Sequence, residues 1–267
     1  MVDVFLQTLP FFAIIGLGYL AGRSGFFPET ATAYLTRFVF FFALSAMLFL
    51  FAANLSLAAI LDWQLVYSSL AGTSAISLVA TIIALMRHQC VEVTAVEAQC
   101  AVIGNTGFLG IPLLAALLGP ASIGPIMLIL AVDLIVFSSL IVILINGARD
   151  GRMSLAILRS VSVGLIKNPM IVAMVLGLTW SSPNWTIPKV FDDFLLTLGA
   201  AATPGALFAI GASLAGKSAE RMHVAGWLSF AKLILHPLAV AGFALYVFDV
   251  APFAAGCIIR AAAPPGC

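Results

Sequence analysis

The chain has 267 residues, of which 63% are hydrophobic and only 9% charged, and its mean hydropathy is +1.16. Soluble domains are about 45–50% apolar and about 25% charged, so this composition excludes soluble enzymes, nucleic-acid binders and disordered chains. Twelve Lys and Arg against eleven Asp and Glu leave a formal charge of +1 with no basic or acidic run, so no nucleic acid or other polyanion is implied as a partner.

The apolar residues come in continuous blocks rather than in alternation, which points to membrane helices and away from a β-barrel. A helix needs about 20 apolar residues to span a bilayer. On that measure the sequence predicts nine spans: Val4–Gly22, Phe38–Asn54 with a start as early as Ala31, Trp63–Met86, Ala95–Leu118, Ala121–Asn146, Gly164–Trp180, Pro188–Ala215, Val224–Phe248, and a ninth from Ala251 onward. No Lys or Arg precedes the first block, so it reads as a permanent helix rather than a cleaved signal. With the N-terminus outside, the inner loops hold Arg23, Arg37, Arg87, Arg149, Arg152, Arg159, Lys167, Lys217 and Arg221, nine of the twelve cations. That asymmetry predicts a multi-pass protein of the cell inner membrane with its N-terminus outside.

The order of features repeats. Phe27-Pro28 precedes Ala43 to Phe49, and Ile187-Pro188 precedes Thr203 to Phe208, at an offset of 160 residues. Leu9-Pro10 likewise matches Asn168-Pro169. The unit holds five spans, and an odd number inverts the second copy in the membrane, a hallmark of secondary transporters. The predicted units are residues 1–146, a cytoplasmic linker 147–163, and an incomplete second repeat 164–267.

The fourth span is interrupted by Gly104-Asn105-Thr106-Gly107 and by Gly110-Ile111-Pro112. Pro112 removes a helical donor and suits the first turn of a second half-helix, while the glycines let the chain leave helical geometry. Irregular backbone at membrane depth survives only inside protein or beside an aqueous cavity. The N–H groups of the second half-helix favour an anion, so Asn105, Thr106, Gly107, Gly110 and Pro112 are candidate substrate-binding residues.

Asp133 in the fifth span and Lys232 and His236 in the eighth are charged or titratable groups at membrane depth. Such a charge costs about 2.5–3.5 kcal/mol and needs a partner. An Asp133–Lys232 ion pair and a proton relay through His236 are both open readings, and Asp133 suits a proton or sodium equally as coupling ion. No other cofactor and no metal is expected, because Cys90, Cys100, Cys257 and Cys267 match no zinc or redox spacing. Asp192, Asp193, Glu92 and Glu97 lie near span ends and read as solvated.

Asn105 to Leu113, Lys167-Asn168-Pro169, Pro204 to Gly211 and Leu235-His236-Pro237-Leu238 together resemble the auxin efflux carrier family, which includes plant PIN-type carriers and bacterial malonate and malate permeases. The resemblance implies an all-α polytopic membrane protein of two inverted five-helix repeats. It implies broken crossover helices four and nine, a scaffold of helices 1, 2, 6 and 7, and a mobile domain of the others. It implies a secondary transporter of small organic anions such as malonate or malate, moved by an elevator-like displacement. It also leaves room for a homodimer through the scaffold helices. Ser45 stands where the family usually carries proline, which should straighten the second helix. By the repeat, Pro264 belongs to the second crossover, so nine spans of an expected ten are present. A carrier cut before its tenth helix, with little transport of its own, is therefore also expected. Two other functions compete: an intramembrane serine protease using Ser213 of Gly211-x-Ser213 with His236 as base, and a passive channel or receptor.

Overall fold

A computed structural model describes residues 2–55, 61–150, 155–182, 185–216 and 222–262, and among them there are helices and no strand. The protein is an all-α polytopic membrane protein. Five described helices are long and apolar enough to cross a bilayer, and six if one bent pair counts as a single span.

In chain order, α1 is Val2–Arg23, α2 is Glu29–Ala53 and α3 is Trp63–Met86. The fourth predicted span divides into α4, Val91–Val102, and α5, Ile111–Leu118. Then come α6 over Pro120–Ala148, α7 over Leu155–Lys167 and α8 over Pro169–Ser181. The last three are α9, Lys189–Leu214, α10, Met222–Val247, and α11, Pro252–Ala262.

Local chemistry sets several of these ends. The Asp62 carboxylate accepts from Gln64 N at 3.0 Å and Leu65 N at 3.2 Å and so opens α3. Asn168 caps α8 by accepting from Met170 N at 2.9 Å, with Pro169 at the first helical position. That cap also ends α7, and the two helices meet at 64°. The sixth span, where the pair is counted as one, is therefore broken at this bend. The span expected from Gly164 to Trp180 runs across this bend. Arg37, placed in a loop by the sequence reading, lies inside α2. In place of the family's proline, the Ser45 hydroxyl donates to the Phe40 carbonyl at 3.3 Å, and α2 continues through a π turn at Val39–Ala43.

The helices pack as two bundles. In the first, α1 lies on α9 and α8 lies on α2, with α9 also against α2. Glycines permit this: a Cβ at Gly18 would lie 2.1 Å from the Phe208 carbonyl oxygen, one at Gly211 2.0 Å from that of Ile15, and one at Gly177 2.6 Å from that of Phe49. Lipid tails supply no hydrophobic force between helices, so close backbone contact of this kind is what holds them. In the second bundle, α3 packs on α4 and α10, α6 on α4, and α11 on α10 and α6. The bundles meet across an apolar core that includes Leu44, Leu48, Ile111, Leu114, Ile126, Met127, Met170 and Met174.

The packing gives a direct test. Gly18→Val and Gly177→Val should each destabilise the purified protein by about 1–3 kcal/mol through overpacking. Gly16→Ala, where an added Cβ meets nothing within 4 Å, should leave the melting midpoint unchanged.

Candidate functional site

The backbone leaves helical geometry at Ile103, whose φ of −83° and ψ of 125° are extended. It re-enters as a π turn, Thr106–Gly110, in which the Asn105 carbonyl accepts from Leu109 N at 3.1 Å and Gly110 N at 3.0 Å. Pro112 stands in the first turn of α5, but this π turn lies ahead of it. The gap therefore opens at Ile103 to Asn105, before Gly107 and Gly110. Thr106 is buried, and an added Cβ at Gly107 would lie 3.1 Å from the Met170 methyl, so the turn faces the first bundle. Asn105 itself is half-buried. The second expected crossover, with Pro264, lies outside the described residues.

The other end of the gap carries a cation. Lys232 is 4% exposed, and its ammonium donates to the Val102 carbonyl, the last of α4. The same Nζ lies 3.4 Å from His236 Nδ1, and His236 Nε2 lies 3.0 Å from the Thr73 hydroxyl. Asp133 is buried within Coulombic reach of the Lys232 ammonium. Lys232 sits in a π turn, Ala231–Leu235, and Asp133 opens another, Asp133–Phe137. Such turns add a residue to a helix and re-aim its side chains, and they are frequent at functional sites. Thus α3, α4, α6 and α10 deliver one polar cluster, joining the three coupling candidates of the sequence.

A separate cavity of about 500 Å³ lies between α2 and α9, with one described residue of the second bundle on its wall. Its walls include Met47, Phe51 and Asn54 of α2, Asp192, Gly199 and Thr203 of α9, and Pro112 of α5. Of the crossover candidates, Pro112 alone is among its described lining residues. Asp192, read as solvated, is half-buried on this wall. A sequence signal existed: Asp192, Leu196, Gly199 and Thr203 fall at helical spacing on one face. Glu97, also read as solvated, is buried and forms a salt bridge with Arg87.

The protease candidates are not brought together. The Ser213 hydroxyl donates to the Ile210 carbonyl at 2.8 Å, while the His236 ring lies between Thr73 and Lys232.

Comparison with known proteins follows this geometry. The sequence model of a family described as membrane transport protein matches residues 3–267. The chain belongs to that family. It is the auxin efflux carrier family that the crossover motif resembles. The chain is also 25% identical, over 244 residues, to a protein of Rhizobium meliloti (strain 1021) named "Putative malonate transporter"; the match covers 89% of this chain and 75% of the relative.

The cavity is checked by cysteine labelling after replacing the native cysteines. Cysteines at Asn54, Asp192 and Thr203 should react with a small water-soluble methanethiosulfonate, whereas one at Leu48, which is 0% exposed, should not. Absence of reaction at all three lining positions would show that water does not reach this space.

Proposed function

We propose that this chain is a secondary transporter of small organic anions, mono- and dicarboxylates such as malonate or malate, working by elevator-like alternating access in the inner membrane. The observation that carries this reading is the broken fourth span, whose Pro112 reaches the wall of a cavity between α2 and α9. Membership of a membrane-transport family and similarity to a protein named for malonate support the substrate class.

In this reading α1, α2, α8 and α9 are the scaffold, and α3 to α6 with α10 and α11 are the mobile domain. The packing has the form that an inverted repeat requires. Exchanging the first helix with the sixth span, and the second with the seventh, turns the α1–α9 contact into the α8–α2 contact. Pro10 and Pro169 are 159 residues apart, and so are Gly18 and Gly177, the glycines at those two contacts.

The substrate carboxylate sits at the N-terminal side of the Thr106–Gly110 turn, with Asn105 beside it and Pro112 shaping the passage to the cavity. The N–H groups of a first turn have no intrahelical acceptor and carry the positive end of the helix dipole, so a carboxylate is the ligand they suit. Asp133, Lys232 and His236 form the coupling cluster. The N-terminus lies outside, and any dimer forms through the scaffold helices.

The test is uptake of labelled dicarboxylates into proteoliposomes. Asn105→Ala should weaken malonate binding by about 10- to 100-fold, the worth of one hydrogen bond to a charged group, while leaving the fold intact. Normal binding and uptake by Asn105→Ala would place the site elsewhere. Asp192 puts a like charge on the path of an anion. Asp192→Asn should therefore raise the affinity for dianions more than for monoanions, measured as a ratio of half-saturation constants for malonate and a monocarboxylate.

A further inference from the structure

A helix that ends inside a membrane leaves its last carbonyls without intrahelical donors, and they carry the negative end of its dipole. In broken transporter helices such ends coordinate a cation taken from solution. Here α4 ends at Val102, and the group on its carbonyl is the Lys232 ammonium. The ammonium lies against that carbonyl and 3.4 Å from His236 Nδ1, the far nitrogen of the same ring meets the Thr73 hydroxyl of α3, and the buried Asp133 carboxyl of α6 interacts with the ammonium electrostatically.

Two π turns lie at the two charged residues, Asp133–Phe137 and Ala231–Leu235, and from the second the Lys232 ammonium reaches the end of α4. Lys232 is one residue into its turn, and its stem runs inside the protein to an ammonium that is buried rather than in an aqueous cavity. A fixed positive charge at this point fills the place of a dissociable one and repels another.

We propose that Lys232 is the resident cation of the broken helix: a tethered ammonium that takes the position of an inorganic ion at the Val102 carbonyl. It is a positioning residue, holding the end of α4 in place beside the gap. Sodium then has no site at this end of the break and does not drive transport. The inference rests on the transporter reading for its uptake measurement, and on geometry alone for its stability measurement.

Both measurements use the purified full chain, with sodium chloride replaced by choline chloride at constant ionic strength. The wild-type melting midpoint and malonate uptake should be unchanged by the replacement. Lys232→Ala should melt lower than wild type in choline and should be restored by ethylammonium or by sodium, since the vacated carbonyl then takes a cation from solution. Lys232→Met, which keeps the stem and removes the charge, should also melt lower than wild type. A wild-type midpoint or uptake that rises with sodium overturns the proposal. So does a Lys232→Met protein as stable as wild type, or a Lys232→Ala protein indifferent to both ethylammonium and sodium. The wild-type arm needs no variant, so it decides even where a variant fails to fold. Absence of malonate uptake alongside the expected midpoints would reject malonate as the substrate and leave the tethered cation standing.

Discussion

A chain that leaves helical geometry at membrane depth must satisfy the backbone groups it frees from within the protein, because lipid offers no partner. Much of the second bundle follows from that constraint. The carbonyl end of α4 takes the Lys232 ammonium, and the ammonium in turn needs negative and polar company. Asp133 and His236 supply it, and His236 is anchored on Thr73. Those four side chains come from α3, α6 and α10, which must therefore pack around α4. The π turns in α6 and α10 are the local cost of aiming the side chains, since each gives up regular hydrogen bonding to rotate one residue.

The first bundle is held differently. Its contacts are backbone against backbone, made where glycine removes the Cβ. Such contacts tolerate almost no sliding, because neighbouring residues with side chains would collide. Between the bundles the contact is made by leucine, isoleucine and methionine side chains, among them Met47, Met127, Met170 and Met174. Methionine adapts its shape to a changing neighbour at low cost. A rigid bundle joined by a deformable face to one that carries the broken helix is what the elevator reading requires of the packing.

The sequence made the elements legible wherever a polar letter interrupted an apolar run. Trp63–Met86 was readable residue for residue, because Asp62 caps it and Arg87 ends it. The bend at Asn168-Pro169 was missed, although both residues are helix-starting types, because the apolar pattern continues through them. The π turns have no sequence signature and were not readable at all. At the site, Asp133, Lys232 and His236 stood out because charge is rare in a span. Their central partner did not, since a backbone carbonyl such as that of Val102 has no letter of its own. Glu97 was misread because proximity to a span end was taken as solvation, whereas it is buried against Arg87.

The two ends of the broken span divide the electrostatic work. The turn that starts at Thr106 presents N–H groups and suits an anion, whereas the end at Val102 presents a carbonyl already occupied by a cation. An occupant tied to α10 by four methylenes cannot dissociate, so the charge it contributes to the second bundle is fixed. A mobile inorganic cation would instead be bound on one side and released on the other, adding its own gradient to the cycle. In the proposed transport of an anion, a tethered cation at this end would leave the work to the anion's own gradient, to the membrane potential, or to a proton.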